Sequence, residues 1–284
     1  MGEGMMLAGP WSDLGWLAGM FVLLGVAAVH DRTAKPSAPR VPVRPVLIEG
    51  WRFIGRYWRR APGPALLSIP VLVGAVMTFL KQQGFLGLLG LVGFFLLMGM
   101  AVGAAVRLGR QEIEPNRADL ELGPLGIQFG VVERKVLGAM LLLIGLGLAF
   151  QLAIGLIGWM LRLAGGLPLM VVFTFLSVCA TIYVYGRLML LVPRAGFGRG
   201  ASLAETWRLT RAALFPLAAV AFIPQILTTP LSLLVQWIAP NRLAGTPFGL
   251  ADGVVLLIYL VISPFGWGAQ IAMLRVLEPA APEA

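Results

Sequence analysis

The stretch Ser202-Leu-Ala-Glu-Thr-Trp-Arg-Leu-Thr-Arg211 lies between two long apolar runs. Ser202 and Glu205 have capping-box spacing, in which a side chain and the backbone satisfy each other's free hydrogen-bonding groups at a helix start. From there an apolar stripe of one helix face follows at i, i+4, i+7 and i+11: Leu203, Trp207, Thr210 and Leu214. The stretch therefore predicts a short amphipathic helix on a membrane surface.

The same stripe recurs twice earlier in the chain. It begins 156 residues before Leu203 with Leu47, Trp51, Ile54 and Trp58, and 78 residues before Leu203 with Leu125, Phe129, Val132 and Val136. Each stripe precedes apolar runs that are long enough for a pair of spans. We therefore predict three copies of a surface helix followed by a membrane hairpin, in residues 46–106, 124–192 and 202–274.

Composition sets the class of protein. Hydrophobic residues make up 58% of the chain and charged residues 12%, and the mean hydropathy is +0.87, whereas soluble domains carry about 25% charged residues. Long uncharged runs favour helices, whose backbone groups are satisfied internally, over the short alternating strands of a barrel. We predict an all-α integral membrane protein with six core transmembrane helices in three hairpins. Each hairpin follows a cytoplasmic amphipathic helix, and one extra N-terminal helix stands outside the repeats.

The placement of basic residues predicts the orientation. The net charge is +9, and 19 basic residues fall on one side, 18 in the segments with the surface helices and Arg275 after the last span, against three (Lys81, Arg162 and Arg242) in the opposite turns. Because cytoplasmic loops of membrane proteins are enriched in lysine and arginine, we predict a multi-pass protein of the bacterial inner membrane with a cytoplasmic C-terminus. This placement argues against nucleic acid as a partner.

Three further segments complete the predicted organisation. Residues 1–30 lack the positive start of a signal peptide and predict a transmembrane or interfacial helix. Residues 31–45 read as a proline-rich, basic linker, and residues 276–284 as a tail. The loop 107–124 has mixed charge and is predicted to be solvated, Arg187 is predicted to reach the membrane interface, and the glycine-rich segment 194–200 is predicted to be a flexible connector.

The sequence offers no catalytic constellation. The chain has one histidine, His30, and one cysteine, Cys179, so it cannot supply the usual zinc ligand sets or a nucleophilic triad. Asp252 is the only acid near a core span, which gives little support to ion-coupled transport. We predict no enzyme activity, no metal and no cofactor.

The candidate site is the set of basic and aromatic residues on the three surface helices, which suits anionic lipid headgroups or a membrane-protein partner. It comprises Trp51, Arg52, Arg56, Trp58, Arg59, Arg60, Phe129, Arg134, Lys135, Trp207, Arg208 and Arg211. The favoured function is a lipid-associated scaffold, assembly factor or accessory subunit. The alternative is a lipid or small-solute transporter with a cavity between hairpins.

Two sequence stretches also carry a family resemblance. Gly186-Arg-Leu-Met-Leu-Leu-Val-Pro193, with Ser202–Arg211 after it, resembles the polytopic membrane domain found beside some glycerophosphoryl diester phosphodiesterases and alone in uncharacterised bacterial inner-membrane proteins. Gly123-Pro-Leu-Gly-Ile-Gln-Phe-Gly130 resembles stand-alone members. The resemblance covers residues 46–275 and implies an all-helical membrane domain. It does not carry an expectation of enzyme activity, because the phosphodiesterase barrel, with its paired histidines and metal-binding acids, is absent from this sequence.

Overall fold

The computed structural model describes residues 20–22, 24–29, 31, 41–81, 83–114, 117–164, 167–223, 226, 230 and 250–279, and no strand occurs among them. Short 3-10 turns cover Ala118–Leu120, Pro124–Gly126 and Thr210–Ala212. The α-helices in these parts of the chain are α1 Met20–Val29, α2 Val43–Arg60, α3 Gly63–Leu80, α4 Gly84–Gln111, α5 Val131–Ala164, α6 Leu167–Leu188, α7 Leu191–Gly196, α8 Leu203–Leu209, α9 Leu214–Ile223 and α10 Leu250–Leu277.

The apolar helices agree with a membrane protein. Within the described residues, Gly84–Gln111, Pro124–Leu161 and Leu256–Leu277 are long and apolar enough to cross a bilayer, and there are five such spans if two bent helix pairs count as one span each. The predicted all-helical class is confirmed. The described spans number three to five rather than six, and the turn predicted near Asn241 lies outside the described residues.

The first predicted copy forms a separate helix before its span. Helix α2 ends at Arg60, and α3 leaves it at an angle of 84°. Pro62 causes the break, because a proline disfavours helical backbone in the residue before it, and Ala61 has φ −141°. The break separates α2 from the span that follows it, and the position of α2 on a membrane surface stays a prediction.

The prediction of a second surface helix from Leu125 to Lys135 is wrong. Leu125 and Gly126 have left-handed backbone, with φ of 54° and 78°, and belong to a turn. Helix α5 starts at Val131 and runs unbroken to Ala164. No proline lies between Pro124 and Pro168 to interrupt it, so the second copy has no separate surface helix.

The third copy keeps a short helix with a bend. The Ser202 side chain accepts a hydrogen bond of 3.3 Å from the Glu205 backbone N–H, as the capping spacing predicted. The axes of α8 and α9 differ in direction by 99°. The preceding span, predicted to reach Val192, ends at Leu188 instead.

Small residues hold the bundle together. An added Cβ on Gly90 would lie 2.6 Å from the Ala75 Cβ on α3, and one on Gly99 would lie 3.2 Å from the Leu137 side chain on α5. Close approach through glycine is typical of packed membrane helices. Glycine therefore lets α4 pack closely against both α3 and α5.

The face of α2 that contacts the protein is shifted by one residue from the predicted stripe. Val46, Gly50, Phe53 and Tyr57 are buried, mainly against α10. The stripe that begins at Leu47 lies beside this face, and 48% of Trp51 is exposed. Helical spacing fixes the period of a pattern, whereas the neighbouring helix decides which of two adjacent stripes is buried.

Candidate functional site

The charged end of α4 is buried rather than solvated. Arg107 donates two hydrogen bonds to Glu133 in the first turn of α5, Nε to Oε1 at 2.7 Å and Nη2 to Oε2 at 2.9 Å. Glu133 is fully buried, and the Gly130 N–H donates to its Oε2 at 2.8 Å. Bidentate pairing of this kind is the strong form of a charged hydrogen bond. The prediction that segment 107–124 is a solvated loop is therefore wrong for its helical start.

A second set of pairs joins α2, α4 and α10. Arg56 donates to both Glu49 and Glu112. Arg275, near the end of α10, donates to Glu112 at 2.7 Å and to the Gly109 carbonyl. Glu112 therefore lies between arginines from two helices that are distant in sequence, and Arg56 is half-buried and paired with carboxylates of the protein itself.

A third set joins α7, α8 and the end of α10. Arg194 Nη2 lies 2.7 Å from Glu205 Oε2, and its Nε lies 2.9 Å from Glu278 Oε1. Burial disfavours the charged form of Arg194, but the hydrogen bonds to Glu205 and Glu278 outweigh this and raise its pKa above the ordinary value. Arg194 is buried within α7, so the predicted flexible connector is wrong for its first three residues, 194–196.

Together these three sets form what we call the ion-pair layer. It gathers the C-terminal ends of α4 and α10, the start of α5, and helices α2, α7 and α8 at one end of the bundle. Its carboxylates are Glu49, Glu112, Glu133, Glu205 and Glu278.

Arg187, which the sequence predicts to reach the membrane interface, is buried inside the protein against α8. Only 2% of it is exposed, its guanidinium lies 4.8 Å from the centre of the Trp207 ring, and it donates to the Trp207 carbonyl. The Thr210 hydroxyl in turn donates to the Arg187 carbonyl at 2.9 Å. This cation–π stacking fixes α8 against the end of α6.

The remaining predicted basic residues point outward. Within the described residues they are exposed and form no ion pair with a carboxylate: Arg52, Arg59, Arg60, Arg134, Lys135, Arg208 and Arg211. We call Arg52, Arg59 and Arg60 the basic face of α2. The structure thus separates Arg56, which is paired, from its three neighbours, which are not.

The predicted aromatic residues differ in their contacts. Trp51 lies 5.2 Å from the Phe265 ring on α10, and Trp58 donates from Nε1 to the Val261 carbonyl at 3.0 Å. Phe129 is 45% exposed in the turn before α5. Trp51 and Trp58 therefore attach α2 to α10, while Phe129 remains on the surface.

The sequence prediction did not locate a cavity of about 480 Å³ between α4, α5, α6, α7, α9 and α10. Its lining is mostly apolar and includes Met98, Met140, Met189, Phe222 and Trp267. Among the described residues that line it, Thr181, Tyr185 and Gln270 have polar side chains and none is charged. Polar residues within apolar runs were the available signal, but their spacing alone could not show that α6 and α10 bring them together.

In the described part of the chain, no group of three or more histidine, cysteine, aspartate or glutamate side chains is placed to hold a metal ion. No protein-family model, curated protein or solved structure matches this chain.

Proposed function

We propose that the protein is a non-catalytic, lipid-associated membrane protein that acts as a scaffold, assembly factor or accessory subunit. The observation that carries this proposal is the division of its arginines. Those of the ion-pair layer are neutralised by glutamates, whereas the basic face of α2 carries three cations with no carboxylate partner among the described residues. Unpaired arginines beside tryptophan suit the headgroup region of an anionic leaflet.

The same proposal includes the orientation of the protein in the membrane. The ion-pair layer and the outward basic residues lie at the end of the bundle opposite the Lys81 turn, because α4 spans the distance between them. We propose that this end is cytoplasmic, in a bacterial inner membrane, with the C-terminus on the same side. The resemblance to the membrane domain found in bacterial inner-membrane proteins is itself a proposal, and it supports the choice of the inner membrane.

Neutralising the basic face tests the lipid role. Each basic residue beside an anionic leaflet contributes about 1 kcal/mol, so Arg52→Gln, Arg59→Gln and Arg60→Gln together should release bound anionic lipid. Native mass spectrometry of the purified protein measures lipid retention directly. The matching triple lysine variant keeps the charge and should retain most of the lipid.

Two controls separate lipid binding from damage to the fold. Lys81→Gln, at the opposite end of α4, should leave anionic lipid retention unchanged. Arg56→Gln should lower thermal stability, because Glu49 and Glu112 lose their shared partner. Equal lipid retention in the triple glutamine variant and wild type would refute the proposed role of the basic face.

The cavity favours a second candidate function, namely transport or binding of a hydrophobic solute. A cavity of about 480 Å³ with a few polar groups has the size and lining of a small-molecule site. Its uncharged lining disfavours ions and charged solutes, because burying an unpaired charge is costly.

A further inference from the structure

We propose that the cavity binds an uncharged long-chain lipid whose head carries a hydroxyl group. The inference concerns the second candidate function and does not depend on the basic face of α2. Three groups of observations support it: the chemistry of the lining, the hydrogen-bonding groups without a protein partner, and a glycine that leaves room for one of them.

The lining selects a hydrocarbon tail. Three methionines from three parts of the chain, Met98, Met140 and Met189, line the cavity together with Phe222 and Trp267. Methionine is flexible and polarisable and adapts to irregular apolar ligands. A tail that leaves a bilayer for such a lining gains little hydrophobic free energy, because lipid tails are equally apolar. Selectivity must therefore come from packing and from hydrogen bonds to the head.

Two side chains in the cavity offer those hydrogen bonds. The Tyr185 hydroxyl and the Gln270 amide make no hydrogen bond to any described residue. Thr181, by contrast, is already engaged, since its hydroxyl donates to the Ser177 carbonyl at 2.8 Å and accepts from Gln151 at 3.3 Å. Tyrosine and glutamine each supply a donor and an acceptor, which matches the donor and acceptor of a lipid hydroxyl.

The position of Tyr185 depends on Gly147 of α5. A Cβ on Gly147 would overlap the Tyr185 hydroxyl, so the tyrosine can pack against α5 only because this residue is glycine. Adding one methyl group there displaces the Tyr185 hydroxyl from its present place at the edge of the cavity. Gly147→Ala therefore moves one of the two hydrogen-bonding groups of the site without replacing a lining residue. Gly145→Ala is the matched control on the same helix, because a Cβ there meets nothing within 4 Å.

The test is photolabelling of the full chain in detergent micelles with a long-chain alcohol that carries a diazirine in its tail. Labelled peptides are mapped by mass spectrometry. In wild type and Gly145→Ala, we expect labelling at Met98, Met140 and Met189 to exceed labelling of the outward side chain Leu152, which is 69% exposed. In Gly147→Ala we expect cavity labelling to fall about tenfold, which corresponds to about 1.4 kcal/mol, with labelling of Leu152 unchanged.

A second variant keeps the proposal testable if Gly147→Ala does not fold. Gln270→Leu preserves the size of the side chain and removes its hydrogen bonds, so it should weaken competition by unlabelled alcohol about threefold. The matching carboxylic acid should compete less well than the alcohol, because the lining offers no charged partner.

Three results would overturn the proposal. They are cavity labelling no stronger than that of Leu152 in wild type, equal labelling in Gly147→Ala and Gly145→Ala, and competition by the carboxylic acid as strong as by the alcohol. The triple glutamine variant of the basic face serves as an internal reference. It should lose anionic lipid and keep cavity labelling, so failure of one proposal is distinguishable from failure of the other.

Discussion

The first and second predicted copies share the spacing of their apolar stripes but fold differently. In the first, α2 is a separate helix that meets α3 at 84°. In the second, the residues that correspond to the end of α2 continue into α5 without a break. The difference coincides with proline, since Pro62 and Pro64 follow α2 whereas the corresponding part of α5 has none. The third copy bends by 99° just before Pro216. Equal spacing of the stripes therefore does not ensure equal folding, because local backbone sterics decide where each helix begins and ends.

The largest expected effect concerns the buried ion pair that holds the start of α5, in the second copy, against α4. Glu133→Gln removes the buried carboxylate that Arg107 contacts through two hydrogen bonds. Removing one member of a buried ion pair costs about 3–5 kcal/mol. We expect a large fall in the midpoint of thermal unfolding in mild detergent. Glu121→Gln, an exposed carboxylate in the same region, should change stability by less than about 0.5 kcal/mol, and similar shifts for both variants would contradict the structural role of the pair.

The second prediction introduces the missing proline into the second copy. Gly138 lies 78 residues before Pro216, is exposed, and a Cβ there meets nothing within 4 Å. Gly138→Pro should kink α5 and cost about 3 kcal/mol, because the ring removes one helical hydrogen bond and clashes with a carbonyl. Gly138→Ala is the control and should be neutral or stabilising by about 0.5–1 kcal/mol.

Spin labels on α5 measure that kink. Lys135→Cys and Leu148→Cys, in a Cys179→Ser background, place two labels on exposed positions. They are separated by about 20 Å along a straight helix. The distance should shorten in Gly138→Pro and stay constant in Gly138→Ala. An unchanged distance in the proline variant would show that packing, rather than the absence of proline, keeps α5 straight.

The third prediction loosens the separate helix of the first copy. A Cβ on Gly268 of α10 would overlap the Phe53 Cβ on α2, whereas one on Gly266 meets nothing within 4 Å. Gly268→Ala should destabilise the packing of α2 by about 1–3 kcal/mol. We expect faster tryptic cleavage after Arg59 and Arg60 in Gly268→Ala than in Gly266→Ala. Equal cleavage rates would mean that α2 is held mainly by its tryptophan and arginine contacts.

The smallest effect concerns the third copy. Ser202→Ala removes the side-chain acceptor at the start of α8 and should cost about 1 kcal/mol. Ser202→Asn keeps an acceptor and should be close to wild type. The thermal midpoint in detergent checks both variants, and an equal loss in both would indicate that the cap does not stabilise α8.

Local features were the part of the fold that the sequence predicted well. The cap at Ser202 and the separation of α2 from the span after it each depend on residues close together in the chain. The failures involve partners that are distant in sequence. Arg107 meets Glu133 across 26 residues, Arg194 meets Glu278 across 84, and Arg275 meets Glu112 across 163.

In the candidate site, too, the sequence predicted local features and missed the contacts between distant residues. Composition and spacing identified the basic and aromatic residues of the surface helices, but they could not separate Arg56 from Arg52, Arg59 and Arg60. All four arginines lie on one helix. Arg56 pairs with Glu49 of the same helix and with Glu112 from the end of α4, whereas its three arginine neighbours face outward.

The sequence by itself determined the apolar, all-helical class of this protein and some of the positions at which its helices start and break, because hydropathy and the sterics of proline and glycine act within a few residues. The tertiary structure decided which arginines are neutralised, which face of α2 is buried, and where a cavity remains between helices. Each of these depends on which distant segments meet, since a charge is paired and a gap is left only by the neighbour that packing brings there.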